Sequence, residues 1–233
     1  MDISTNLNLN SNSCSTVDNV EIDTVKQVRD LGVIVDSKLK FSAHIAKIVS
    51  TAKQRSALLF RAFLTRDLKY LITAYKSYIL PLVEYCSPVW SPHSVQDILL
   101  VESVQRSYTK RITGLQYKSY VDRLKFLNII SLELRRLHSD LTFCYKLFNG
   151  HIAGSPADYG LTLSNRKSRG NSYKLNINIS RIDARKHFFA SRICEPWNSL
   201  PDYVVLDNSI KSFKRQLFYI DFNKFLIFKS ESV

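Results

Sequence analysis

"FSAHIAKIVSTAKQRSALLFRAF", residues 41–63, is the stretch whose reading decides the fold. Phe41, Ile45, Ile48, Val49, Ala52, Leu59 and Phe63 recur at helical offsets, which predicts an amphipathic helix of about six turns. Upstream, "VEIDTVKQVRDLGVIVD" (20–36) is rich in β-branched residues and punctuated by Gly32 and Asp36, so it predicts one or two short strands around Val25–Val35. Residues 1–19 are Asn/Ser-rich and have little to bury, which reads as a flexible leader.

Downstream the helical period persists. Asp67 stands as an N-cap before Leu68, Leu71, Ile72, Tyr75 and Ile79, a second helix that Pro81 is expected to end. "PLVEYCSPVWSP" (81–92) then reads as an extended, proline-stiffened corner in which Tyr85 and Trp90 pack between helices. Val101, Val104, Tyr108 and Ile112 mark a third helix that stops at Gly114. A short helix is expected around Tyr120–Leu127. A longer one carries Leu134, Leu137, Leu141, Cys144, Tyr145 and Phe148 on one face and ends at Asn149-Gly150.

The composition shifts beyond Gly150. Residues 150–172 are loop-like, and "YKLNINIS" (173–180) alternates strictly, as a strand does. A helix near Ala184–Cys194, a "PWNSLP" corner and a helix from about Ser209 complete the chain. The fold class is therefore mainly α, with a short β segment ahead of the helical body and a small α+β part at the C-terminal end.

The chain has 233 residues, 45% of them hydrophobic, enough for a substantial core. Lys and Arg number 33 against 20 Asp and Glu, a net charge of +13, which favours a polyanionic partner. The four cysteines (Cys14, Cys86, Cys144, Cys194) are widely spaced, neither a disulfide framework nor a C-x-x-C metal pattern, and fit a reducing intracellular compartment. No signal peptide and no apolar run approaching about 18 residues is visible, so a soluble protein, cytoplasmic or nuclear and not secreted, is expected. No basic helical face adjoins a continuous aromatic one, which argues against a membrane-surface role.

Enzymatic signatures are missing from the sequence. No two consecutive aspartates occur, and the acids are scattered singly, so a two-metal phosphoryl-transfer site is not expected. Phosphate-loop, zinc-protease and nucleophile-elbow motifs are also missing. Five histidines (His44, His93, His138, His151, His187) show no ligand spacing.

The basic residues carry what remains. Arg106 and Lys110 lie one turn apart, opposite Val101, Val104 and Tyr108, with Arg111 following. That layout grips a phosphate backbone while docking on a core, and equally describes a solvated helix face. Arg166, Lys167 and Arg169 cluster in the glycine-containing loop, where charge is easily displayed and can be ordered by phosphate.

Several stretches, in their order, resemble one family. They are "VRDLGVIVDSKLKFSAHIAKIVSTA" (28–52), "YKSYILPLVEYCSPVWSP" (75–92), "LLVESVQRSYTKRITGL" (99–115), "SLELRRLHSDLTFCYKLFNG" (131–150), and "RICEPWNSLPD" (192–202) with "SFKRQL" (212–217). The set resembles the C-terminal region of the reverse transcriptase of jockey-like non-LTR (LINE-class) retrotransposons, over about residues 20–220. The resemblance implies a palm-end β segment at 20–40, with Leu31 and Gly32 near the primer grip. It implies a helical thumb-like module at 41–115, a helical extension at 116–150 and an α+β part with the basic loop at 151–233. The family's metal-binding aspartates stand on a Phe/Tyr-x-Asp-Asp turn that this chain lacks, as it lacks the endonuclease domain. What is implied is a truncated, catalytically inactive piece of an RNA-directed DNA polymerase. It has no cofactor of its own, although full-length relatives use magnesium. The implied partners are RNA or DNA backbone, held non-specifically through Arg106, Lys110, Arg111, Arg166, Lys167 and Arg169, and a palm domain. No membrane or small-molecule substrate is expected. The alternatives are a degenerate remnant with no activity and an adopted protein–protein interaction module.

Overall fold

The computed structural model describes residues 16–17, 20–21, 25–164, 171–177 and 180–228. Its architecture is mainly helical, with short antiparallel β pairs near the N-terminal end. β1 (Thr16–Val17) pairs with β2 (Val20–Glu21), and β3 (Gln27–Asp30) pairs with β4 (Val33–Asp36). Asp30 faces Val33 across a two-residue turn in which Leu31 (φ 43°) and Gly32 (φ 89°) are both left-handed, the geometry that matches strand twist in a tight hairpin. An isolated hairpin is marginal. This one is moored where Val33 enters the core and the Ile34 amide donates to His44 Nδ1 at 3.3 Å.

Asp36 then starts the helical body. Its carboxylate accepts from the Lys38 and Lys40 amides at 3.0 and 2.7 Å, turning the chain into α1 (Ser42–Ala62). The buried stripe of α1 is Ile45, Val49, Ala52, Ser56 and Phe60, with His44 beside it; Ile48 and Leu59 are half-buried. α5 (Val95–Lys110) runs alongside in the same direction. Ser42 Oγ donates to Asp97 at 2.7 Å near the two starts, and the Phe60 and Tyr108 rings meet at 4.9 Å near the two ends.

Pro81 does not end the second helix. α2 (Leu68–Ala74, N-capped by Asp67) continues through a π-turn at Tyr75–Ile79 into α3 (Leu80–Glu84). The wider turn, with Leu80 N–H bonded to Tyr75 O, shifts the hydrogen-bond register just before the proline, where a regular helix would meet a missing donor and a steric clash. Nor is the corner extended. Cys86 takes a left-handed conformation (φ 51°), and Pro88 occupies the first turn of a short helix, α4 (Ser87–Trp90). Trp90 is fully buried, donates to Tyr85 O at 2.6 Å and meets His44 edge-on at 5.4 Å. Tyr85 stays exposed and instead ties the corner to the hairpin, its hydroxyl donating to Leu31 O at 3.0 Å.

α6 (Tyr120–Leu127) and α7 (Leu132–Phe148) follow, N-capped by Ser119 and Ser131. A polar knot on α5 joins them. Glu102 is fully buried, and its carboxylate accepts from the amides of Leu132 and Glu133 at 3.2 Å each and from the Tyr120 hydroxyl. A carboxylate at a helix start satisfies orphan amides and meets the positive end of the dipole. One turn on, Gln105 donates to Tyr120 Oη and Ile130 O and accepts from Tyr75 at 2.8 Å. Burial pushes the Glu102 carboxyl up, while the Tyr120 hydroxyl, the two amides and the Arg136 charge oppose that rise.

α7 spans two cores. Leu132 belongs to the first with α1, α2 and α5; Leu141, Cys144, Tyr145 and Leu147 belong to the second. After α8 (Asp183–Lys186), which buries no residue, α9 (Phe189–Asn198), α10 (Asp202–Val205) and α11 (Ile210–Gln216) build that second core around Trp197 and Phe213, which are fully buried. α9 runs through Pro196, so the expected Pro-Trp corner begins only after Asn198. Of the strand expected over 173–180, the described residues form one antiparallel bridge, Leu175 to Leu163, and only Leu175 of the alternating face is buried. The Asn198 side chain accepts from and donates to the Leu175 backbone at 2.7 and 2.9 Å, closing the edge opposite Leu163 to a second strand. Arg192 braces the two halves, bonded to both oxygens of Asp140 (2.8 and 3.1 Å) and to Pro88 O (2.7 Å).

Glu102→Ala is expected to lower unfolding free energy by about 3 kcal/mol or more, since it strands buried donors and removes a charge facing Arg136. Glu102→Gln should lose less than half of that, and an Ala variant whose denaturation curve matches wild type would refute the knot's role. His138, packed edge-on against Phe218 and Phe222, has its pKa pulled down to about 4 by burial and then by the Arg135 charge. Between that value and its ordinary 6.5, the unfolded chain binds a proton that the folded chain does not. Acidification through this window should therefore cost stability on the order of 3 kcal/mol, and His138→Leu should flatten that part of the acid slope in pH-dependent denaturation.

Candidate nucleic-acid interface

The end of α5 gathers the basic residues expected there. Val101, Val104 and Tyr108 are buried, while Arg106 and Lys110 are exposed on the opposite side. The Arg106 guanidinium lies 5.0 Å from the Tyr120 ring centroid and 5.7 Å from that of Phe228. The Glu133 carboxylate fixes Phe228 in place, accepting from the Ile227 and Phe228 amides at 3.0 and 2.8 Å. Arg111 is the C-cap of α5, and its guanidinium sits 4.2 Å from the Phe60 ring at the end of α1. Each arginine is therefore laid on an aromatic face, which limits its rotamers while leaving hydrogen-bond donors outward.

The buried Arg123 shares the Tyr120 ring, and Tyr117 and Lys118 stand in the connection ahead of α6. Arg123, on α6, places its guanidinium 5.5 Å from the Tyr120 ring; burial lowers its pKa and the charge of Arg106 adds to that. Lys118 lies 5.7 Å from the Phe126 ring, and Tyr117 is 93% exposed in the same connection. Sequence reasoning missed all three. Arg123 lies one turn after Tyr120, a helical spacing that could have found it. Nothing local signals that Tyr120 itself would sit beneath Arg106.

Among the described residues, Arg106, Lys110 and Arg111 have no carboxylate within ion-pair distance; the ion pairs there join Arg135 to Glu84 and Arg192 to Asp140. Positive charge at a helix C-terminus also complements the dipole, a stabilising role that needs no ligand. The arrangement presents several fixed cations and no acid–base pair. Arg166, Lys167 and Arg169 lie outside the described residues. Asn171, just beyond them in the chain, is buried and donates to Trp197 O and Leu200 O at 2.9 and 3.2 Å.

No group of three or more His, Cys, Asp or Glu that could hold a metal ion occurs among the described residues. Among the described residues no helix is long and apolar enough to cross a membrane.

No family model and no solved structure matches the chain. An uncharacterized protein of Caenorhabditis elegans, B0403.1, is 29% identical over 127 residues, which is 53% of this chain and 64% of that relative. The aligned part thus spans just under two thirds of the relative's length.

Because Arg106 and Arg111 are exposed and hold only ring contacts, Arg106→Glu and Arg111→Glu should each lower unfolding free energy by about 1 kcal/mol or less. Chemical denaturation checks this; a loss of several kcal/mol would mark them as braces of the fold rather than residues free to meet a ligand.

Proposed function

We propose that this chain corresponds to the thumb and C-terminal region of a reverse transcriptase of the jockey-like non-LTR class, and that its own task is to hold primer–template nucleic acid by the backbone, without sequence preference. The observation that carries the reading is the cluster at the end of α5: exposed cations on helices, seated on aromatic rings and, among the described residues, with no carboxylate within ion-pair distance. Phosphate contacts of this kind position a duplex but read no bases. The net charge of +13 adds long-range attraction, and the ordered sequence resemblance supplies the polymerase context.

Chemistry on this reading belongs to a palm domain, since the 233 residues contain no Asp-Asp pair. The β3–β4 hairpin offers a place for such a neighbour. Val28 and Leu31 are exposed on it, and β3 and β4 pair only with each other among the described residues. An exposed edge of this sort accepts further strands. The setting would be intracellular, in cytoplasm or nucleus.

If about six phosphates are engaged, log affinity for duplex should fall with log salt at a slope of about −5. Arg106→Glu combined with Arg111→Glu should weaken binding equally across sequences and flatten the slope by about 2. Fluorescence anisotropy over a salt series measures both. No binding, or binding with no salt dependence, would sink the proposal.

A further inference from the structure

A second surface lies along α7, away from the residues singled out in the sequence. The side of α7 bearing Arg135, His138, Phe143 and Lys146 is left open between the α3–α4 corner on one side and α11 on the other, forming a cleft of about 340 Å3. That volume suits one nucleotide-sized group. Its walls are aromatic. Phe143 is fixed edge-on by Tyr159 and Phe189 (5.6 and 5.2 Å), and Phe218 is braced by the His138 ring at 5.2 Å and 87°. Phe218 is nevertheless 60% exposed, so a flat apolar face is held outward instead of packing away.

The charges of the cleft are segregated. Glu84 is its single acidic side chain and is already engaged by Arg135. Lys146 and Lys214 also line the cleft, and neither has an acidic partner among the described residues. Lys211 lies one turn before Lys214 on α11 and is likewise exposed, while Tyr219, next to Phe218, is 81% exposed. Cations thus continue along α11 and aromatic surface continues past its end. Alternating aromatic faces and lysines is the arrangement that binds single strands, bases stacking on rings while the backbone follows the charge. A duplex cannot use it, because its bases are not available to enter a cleft.

We infer that the α7–α11 cleft is a single-strand site, in which one unpaired base enters between Phe143 and Phe218 and its phosphate is held by Lys146 and Lys214. The inference rests on the nucleic-acid reading above and assigns a separate surface to the unpaired strand. Lys211 takes the next phosphate and Tyr219 offers a face to the next base.

The test uses the full chain, a short fluorescein-labelled oligouridylate and a blunt duplex, each titrated by anisotropy. Phe218→Ala, and separately Lys146→Glu with Lys214→Glu, should weaken oligouridylate binding about 5- to 100-fold and leave duplex affinity within about twofold. Phe218→Trp should retain single-strand affinity, separating stacking from damage to the fold. Arg106→Glu with Arg111→Glu should do the converse, weakening the duplex more than the single strand. Unchanged oligouridylate affinity in the Phe218 and lysine variants would overturn the cleft assignment, as would equal losses on both nucleic acids. Wild-type protein that binds oligouridylate in a Phe218-dependent way but ignores duplex would support the cleft and refute the duplex-holding proposal.

Discussion

The Glu102 carboxylate is the constraint on which the rest of the structure depends. A fully buried acid carries a large desolvation cost, and here it is met by three donors that all need a partner themselves: two amides at the start of α7 and the Tyr120 hydroxyl. The arrangement fixes where α7 begins and at what angle it leaves α5. Gln105, one turn further, repeats the device with Tyr75, Tyr120 and the Ile130 carbonyl. Because these partners come from the π-turn, α6, the α6–α7 connection and α7, α5 becomes the hub from which the first core is assembled.

What α5 organises inside, it displays outside. The turn that buries Val104 and Tyr108 exposes Arg106 and Lys110, and the ring that Glu102 and Gln105 hold in place is the ring on which Arg106 lies. The second arginine, Arg111, rests on Phe60 because α1 and α5 run parallel and end together. A rigid base matters for this kind of recognition, since long side chains ordered in advance lose less freedom when they meet phosphate.

α7 carries the geometry onward. Its first turn belongs to one core and its last two to the other, and Arg192 clamps its middle to the α4 corner through Asp140 and Pro88. The α3–α4 corner also forms one wall of the cleft along α7. A basic surface near the end of α5 and an aromatic cleft along α7 are thus positioned by one continuous helix and its two braces.

Much of this was legible in the sequence because it is local. Apolar spacing located α1, α5, α6 and α7, and Asp67 marked a helix start by side-chain capping chemistry that acts within three residues. The exposed Arg106 and Lys110 followed from the same periodicity, and Gly32, which punctuates the β segment, takes the positive φ of the hairpin turn. Pro81 misled, since a proline read in isolation is a stop signal, and the π-turn that accommodates it depends on what Tyr75 and Ile79 pack against. The strand at 173–180 misled for the reverse reason: alternation proposes a face, but the Asn198 side chain occupies the Leu175 backbone that a second strand would need. By itself, then, the sequence determined a mainly helical, strongly basic chain with its main helices and the exposed Arg106 and Lys110 in place. Only the tertiary structure decided that Glu102 and Gln105 would be buried, that Tyr120, Phe228 and Phe60 would lie beneath the arginines, and that a cleft would open along α7. Those outcomes join residues far apart in the chain, and no local pattern encodes which buried polar group will find which donor.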